Sequence, residues 1–455
     1  MNKLSQPVYF QELYEYSRDE IFEKLNRDII EKLQEYDIVE FTEKKYQFRY
    51  VGVLIINDDV IFSYPKYINN NRNINRDFNQ VLKVIKKYKA ENETLDYYEN
   101  EETEEISFNL ISLMIYFLED YYAHGTYHKT EDILETNGRG EINWDRTINN
   151  FYPIIDNSRP YYLELYTKNR SQDLFNFFKL LHECIITECS RYLDDYGLLN
   201  VFDLTHVELS EKNLEDFGEN DFILEKLEKE FYVEYNTHKK DLLKFMHIYV
   251  SRKNVFTDKN FLTLYGTQNY HNIWEKMCSE IFSDKLKSKL STLKPKSQKN
   301  ELENDKSIYD IIEYPKWILS DGTEKESKGK LKPDIITFYE DTLIILDAKY
   351  YTLIFEKNKE LKGNPGISDI TKQYLYQLAL EDFRKDYGYG RVRNALLFPK
   401  YDGEIENRGN VKLKMFSRFY LEDIQILMLP AEKVNELYLA NRKISLKEIM
   451  GILDE

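Results

Sequence analysis

The chain has 455 residues, a formal net charge of −17, 42% apolar, 31% charged and 15% aromatic residues. That apolar content supports real cores and excludes disordered and fibrous classes. No apolar run reaches the ~20 residues of a membrane span, and the acidic balance disfavours binding of nucleic acid or anionic lipid by the surface as a whole.

At roughly 150 residues per domain, the length suggests about three folding units or two large ones. The stretch to about Lys45 reads as charged helices, with Ile21, Leu25, Ile29, Ile30 and Leu33 at helical spacing. Tyr46 to Ile56 and Val60 to Tyr64 read as strands around the turn Asn57-Asp58-Asp59. Residues 91–105 are acidic and turn-prone and read as a loop. Ile106 to Tyr121 reads as a buried helix, and Asn137-Gly138-Arg139-Gly140 as a turn. Leu174 to Leu193 and Asn213 to Val250 read as mostly helical.

Composition turns polar at Ser251 to Lys259, which marks a domain boundary. The expected division is an N-terminal region 1–255, with a further break near 91–105 or 150, and a C-terminal domain 256–455. In the latter a helix is expected over Asn269 to Lys289 and a lysine-rich linker over Ser291 to Asp305. Strands are expected near Tyr309 to Ile318, Leu331 to Tyr339, Thr342 to Lys349 and Asn394 to Phe398, with the main helix over Ser368 to Asp386. Strands alternating with helices point to an α/β (α+β) fold, with a mixed sheet flanked by helices.

The segment that carries chemistry runs from Leu331 to Lys349. If Glu340-Asp341 forms a two-residue turn, Tyr339 pairs with Thr342 and Asp334 lies opposite Asp347. Such side chains sit about 5 Å apart at Cβ. Lys349, two residues beyond Asp347, points to the same face. Glu-Asp is not the preferred tight-turn pair, and a slip of register would spoil the alignment. Two opposed carboxylates repel, and nothing about stability explains their placement beside the apolar run Leu343 to Leu346. A hard divalent cation relieves the repulsion, and Lys349 adds a positive charge for a phosphate or an attacking water. Glu326-Ser327-Lys328 has the same spacing as Asp347-Ala348-Lys349 but no strand before it.

Pro333-Asp334 with Asp347-Ala348-Lys349 resembles the PD-(D/E)xK nuclease superfamily. The resemblance implies a Glu on the preceding helix, and Glu275 fits, at the edge of the stripe Ile273, Trp274, Met277, Cys278 and Ile281. Asp369 to Gln377 resembles the helical Gln-x-x-Tyr element of several nuclease branches, giving Gln373 and Tyr376 as DNA contacts or site support. Tyr50-Val51-Gly52-Val53-Leu54, Tyr64-Pro65-Lys66, Gly140-Glu141-Ile142-Asn143-Trp144, Trp274-Glu275 and Leu396-Leu397-Phe398-Pro399 are similar to LlaJI-type restriction endonuclease subunits, themselves McrC-like. The likeness implies a restriction endodeoxyribonuclease, active in phage defence, that cuts double-stranded DNA with Mg²⁺, or Mn²⁺ as a substitute. Asp334, Asp347, the Ala348 backbone carbonyl and Glu275 would hold the metal, with Lys349 catalytic. It further implies a McrB-like GTPase and DNA-recognition subunit as partner, docked by the N-terminal half, and a cognate methyltransferase in the same system. Two alternatives stay open: a non-catalytic bridging and GTPase-activating subunit, and a repair or recombination nuclease.

Other motifs are weaker. No G-x-x-x-x-G-K-[ST] is present, so nucleotide hydrolysis belongs to a partner, and there is no dinucleotide fingerprint. His124 and His128 are four apart, but a structural role is favoured over metal because Gly125 intervenes and no third ligand is near. His182, Cys184 and Cys189 read as core. The lysines at 285, 287, 289, 294, 296 and 299 read as a solvated face rather than a phosphate contact. Three cysteines make no disulfide framework, and no signal peptide is visible, so the expected location is a reducing cytoplasm without a membrane partner.

Overall fold

The computed structural model describes residues 7–57, 59–68, 74–92, 110–172, 176–253, 262–293 and 305–454. The chain forms two compact units. One holds Ile55–Asp59 and Ser107–Tyr265; the other holds Pro7–Leu54, Val60–Ile106 and Gly266–Glu455. The second unit thus joins two N-terminal segments to the C-terminal part; the sequence suggested a division near residue 255 with a further break near 91–105 or 150.

In the first unit the helix Leu110–His124 is apolar almost all round, burying Leu110, Ile111, Leu113, Met114, Phe117 and Leu118. It packs against Phe177–Asp195, which starts where the Asn176 side chain accepts the N–H groups of Phe178 and Lys179. Asn220–Val233 and Thr237–Ser251 pack on each other. In the sequence between the first two of these helices lies a three-stranded sheet. Tyr166–Gln172 is central, antiparallel to Thr130–Thr136 on one side and Glu141–Ile142 on the other. The expected turn at residues 137–140 connects the two flanking strands.

In the second unit the N-terminal stretch is only partly helical. Val8–Gln11 is a strand, parallel to Asp59–Tyr64, and Val39–Thr42 pairs with Lys45–Phe48. The helices are Arg18–Lys24 and Arg27–Glu35; the first is closed by a capping box between Ser17 and Glu20. Strands of four residues are too short to show an alternation against the charged background. The expected strand over 46–56 is interrupted at Arg49-Tyr50, giving Lys45–Phe48 and Val51–Ile56. The loop expected over 91–105 begins as the last turn of the helix Ile74–Asn92, and its remainder lies outside the described residues, as does most of the boundary stretch 251–259.

The C-terminal part centres on a five-stranded mixed sheet in the order Ile335–Tyr339, Thr342–Ala348, Arg391–Lys400, Ile424–Pro430, Glu406–Val411. The first two strands are an antiparallel hairpin, the next two pairings are parallel, and the last is antiparallel with a bulge between Asn407 and Asn410. A parallel pair needs a crossover, and here the helix Ile367–Ala379 supplies it between the second and third strands. The helix expected over 368–386 is two helices. Leu380 leaves helical geometry and starts Glu381–Asp386. The strand expected over 309–318 is instead a helical turn, Ile308–Ile311, capped by Ser307, and a short strand, Lys316–Ile318. The helix expected over 269–289 stops at Ile281; Ser283 takes a positive φ of 58° and turns the chain. Most of the lysine-rich linker lies outside the described residues, with Lys294, Lys296 and Lys299. No helix among the described residues is long and apolar enough to cross a membrane.

Candidate active site

The hairpin adopts the register that counting from the turn predicts. Tyr339 faces Thr342, and the ladder continues to Ile335 opposite Leu346. Glu340 takes the left-handed conformation, φ 52°, that a two-residue hairpin turn demands. One step past Ile335 brings Asp334 level with Asp347. The second strand is buried along its whole length, so Asp347 is held in a low-polarity wall. It is 4% exposed.

Three contacts define the local geometry. The Ala348 N–H donates to Asp334 Oδ2 at 3.0 Å. Lys349 Nζ lies 2.7 Å from Asp347 Oδ2 and 3.4 Å from Asp369 Oδ1. The Lys349 ammonium is thus the close charged partner of the buried Asp347 Oδ2. Burial, then the Asp347 and Glu275 carboxylates, push the Asp334 carboxyl up to about 7. Burial also raises Asp347, against the opposing pull of Lys349. Burial alone would lower the Lys349 ammonium; Asp347 and Asp369 override it, and the group stays firmly charged.

Glu275 sits half-buried on the helix Tyr270–Ile281, whose expected stripe of Ile273, Trp274, Met277, Cys278 and Ile281 is buried throughout. Its carboxyl is raised by burial, with His271 and Lys349 opposing and Asp347 adding to the shift. This helix is fixed to the hairpin at both ends. After its C-terminus the Asp284 carboxylate accepts the Ile336 N–H at 2.9 Å, and the Lys285 N–H donates to the Ile336 carbonyl at 2.7 Å. At its N-terminus Tyr270 packs against Tyr350, ring centroids 5.3 Å apart. Tyr350, next to Lys349, donates its hydroxyl to the buried Glu12, and Lys66 Nζ stands 4.1 Å from its ring centroid. The segment Tyr64-Pro65-Lys66 thus buttresses the strand end that carries the lysine.

Gln373 and Tyr376 are both buried on the crossover helix. The Tyr376 hydroxyl donates to the Lys332 carbonyl at 3.0 Å, bracing the chain just before Asp334. Gln373 is fully buried, and neither of its amide atoms has a hydrogen-bond partner among the described residues. Asp369, one turn before Gln373, is the site residue that sequence reasoning missed. The only available signal was its place on the helical face shared with Gln373 and Tyr376. The oxygen-rich set of Asp334, Asp347 and Glu275 suits a hard divalent cation.

The fold and this site define a mixed α/β chain with two acidic side chains and a lysine gathered at one end of a sheet hairpin. The sequence model of the LlaJI restriction endonuclease family matches residues 50–432. The chain therefore belongs to the LlaJI restriction endonuclease family, a family of restriction-system endonucleases. A curated relative, the type II restriction enzyme BsuMI component YdjA of Bacillus subtilis (strain 168), is 30% identical over 462 residues, covering 98% of this chain and 92% of the relative. Among solved structures, a refined half-complex from a tetradecameric assembly of Thermococcus gammatolerans McrB AAA+ hexamers with bound McrC is similar at TM-score 0.41 and 10% identity, covering 98% of this chain and 100% of that chain. The Thermococcus gammatolerans McrBC complex is similar at TM-score 0.25 and 13% identity, over 54% of this chain and 80% of that chain.

Proposed function

We propose that this chain is the Mg²⁺-dependent nuclease subunit of a restriction system, built on a PD-(D/E)xK site that hydrolyses phosphodiester bonds of unprotected double-stranded DNA. The observation that carries the reading is the meeting of Asp334 and Asp347 across the hairpin with Lys349 beside them. Burial and mutual repulsion make two adjacent carboxylates costly, and a dication is the partner that removes the cost. Asp334, Asp347, the Ala348 carbonyl and Glu275 would hold Mg²⁺, with Mn²⁺ as a substitute. Bound there, the ion would supply charge stabilisation at the phosphate and a lowered pKa for water.

The protein's own groups do the rest. Lys349 is kept charged and aimed by Asp347 and Asp369, so it can neutralise the scissile phosphate or orient the attacking water. Glu275, with its raised pKa, can take a proton from that water or bind a second one at the metal. Gln373 and Tyr376 support the site from the crossover helix.

A net charge of −17 makes the chain alone a poor magnet for DNA. That supports loading by a second subunit, a McrB-like GTPase that reads DNA, with a cognate methyltransferase protecting the host. The word component in the relative's name accords with a multi-subunit system.

The test is plasmid cleavage with Mg²⁺, with and without the GTPase partner and GTP, comparing wild type with Asp347→Ala and Lys349→Ala. Cleavage by wild type alone supports the reading. Equal cleavage by all three sinks the site assignment. Cleavage by none, with partner GTPase stimulation intact, favours a bridging and GTPase-activating subunit instead.

A further inference from the structure

The first unit holds a second cluster of ligating side chains, independent of the nuclease reading. Asp120 and His124 lie four apart on the helix Leu110–His124 and so share a face. Gly125, with φ 79°, ends that helix, so His128 does not continue it. The partner of His124 is Asp120, not the His128 that sequence spacing offers. The third member, His238, comes from the first turn of Thr237–Ser251, whose start is fixed by Asn236 accepting the Lys239 N–H. His124 Nδ1 stands 3.0 Å and His238 Nε2 2.5 Å from the same oxygen, Asp120 Oδ1. The two imidazole centroids are 4.2 Å apart, and the three candidate ligand atoms all lie within 4.8 Å of one another.

Two features mark the cluster as more than a surface ion pair. The Asp120 side chain is only 4% exposed, yet its second oxygen, Oδ2, has no hydrogen-bond partner among the described residues. A buried carboxylate with one bare oxygen is costly unless a cation compensates it. The histidines, 56% and 38% exposed, border a cavity of about 390 Å³ lined also by Tyr127, His128, Asn236 and Lys239. Tetrahedral ligands stand about 3.3 Å apart around Zn²⁺, from metal–ligand bonds near 2.0–2.1 Å. The observed 3.0 and 2.5 Å need only a small outward rotation of the two exposed rings.

We propose that Asp120, His124 and His238 form a transition-metal site, in which a Zn²⁺-class ion is held by one carboxylate oxygen and two imidazole nitrogens and its remaining position faces the cavity. Two nitrogens and one oxygen select a borderline divalent ion over hard Mg²⁺, which prefers oxygen throughout. Three protein ligands leave the fourth position of a tetrahedral ion to water or an anionic group, and Lys239 lines the cavity there.

The test uses tag-free full-length chain, dialysed against Zn²⁺ in excess Mg²⁺ and assayed for bound metal, with Co²⁺ substitution read by visible absorption. About one Zn²⁺ per chain beyond any held at the Asp334–Asp347 site is expected. This fraction should survive in Asp347→Asn and bind at least about tenfold more weakly in His124→Gln and His238→Gln. Both histidines are exposed enough that these variants should fold, which circular dichroism checks. No Zn²⁺ retained by Asp347→Asn, or retention by both histidine variants as tight as in the wild-type chain, overturns the proposal.

Discussion

The backbone N–H of Ala348 donates to the Asp334 carboxylate at 3.0 Å, tying the end of one hairpin strand to the acid that opens the other. This bond aims Asp334 at Asp347 and makes the pair a single electrostatic unit. Replacing either acid should therefore act as one change. Asp334→Asn and Asp347→Asn are each expected to lower Mg²⁺-supported cleavage by at least about 100-fold, and the double variant by scarcely more. Single-turnover cleavage rates check it; additive losses would count against a shared site.

Asp334 also sets a pH dependence. Its carboxyl is raised to about 7, by burial first and then by Asp347 and Glu275. The folded chain thus binds this proton more tightly than the unfolded chain, whose Asp titrates near 3.9. The contribution to stability is full below the unfolded pKa and is lost as pH rises through the folded one. In the presence of a chelator, wild type should lose about 2–4 kcal/mol relative to Asp334→Asn between about pH 4 and pH 8. Urea midpoints across that range measure it, and parallel curves for the two proteins would refute it.

Asp369 Oδ1 stands 3.4 Å from Lys349 Nζ, and in the proposed site it would act through that lysine. Asp369→Asn should slow cleavage about tenfold in the wild-type background and have little further effect when Lys349 is already Met. A full tenfold loss in both backgrounds would give Asp369 a role of its own.

Gln373 has both amide atoms buried without hydrogen-bond partners among the described residues. Such groups cost about 1–3 kcal/mol each, so Gln373→Leu should raise the denaturation midpoint of the chain. If the amide also supports the site, the same variant should cleave more slowly. Loss of stability in Gln373→Leu would contradict the reading.

Tyr350 donates its hydroxyl to Glu12, whose carboxyl is raised by burial. Tyr350→Phe should cost about 1–3 kcal/mol by leaving that group short of a donor. Glu12→Gln in the same chain should recover part of the loss. Equilibrium unfolding of the three variants decides it.

Much of the site was legible because a hairpin has a period of two. Once the turn was placed at Glu340-Asp341, the register of Asp334, Asp347 and Lys349 followed by counting. The Glu275 helix was visible from its apolar stripe. Asp369 was not legible, since it approaches Lys349 only through the crossover that returns the chain to a parallel strand, and no local pattern encodes that distance. Strands 406–411 and 424–430 were missed for different reasons. The first is polar and bulged, and the second, apolar from Ile426 onward, shows no alternation. Spacing set His124 beside His128 and favoured a structural role for both; the structure pairs His124 with Asp120 instead, because Gly125 turns the chain out of the helix.

The second unit gathers segments from both ends of the polypeptide. Glu12 receives the Tyr350 hydroxyl, Tyr67 meets Tyr270 at 3.1 Å between hydroxyls, and Arg76 pairs with Glu432 at 3.1 Å. Severing the polypeptide at residue 255 would leave a remnant with a naked aromatic seam where those partners had been. Such a piece should clump on purification, while co-production with the missing half should keep it dispersed. Any swap of halves between relatives would have to exchange this seam as a matched set.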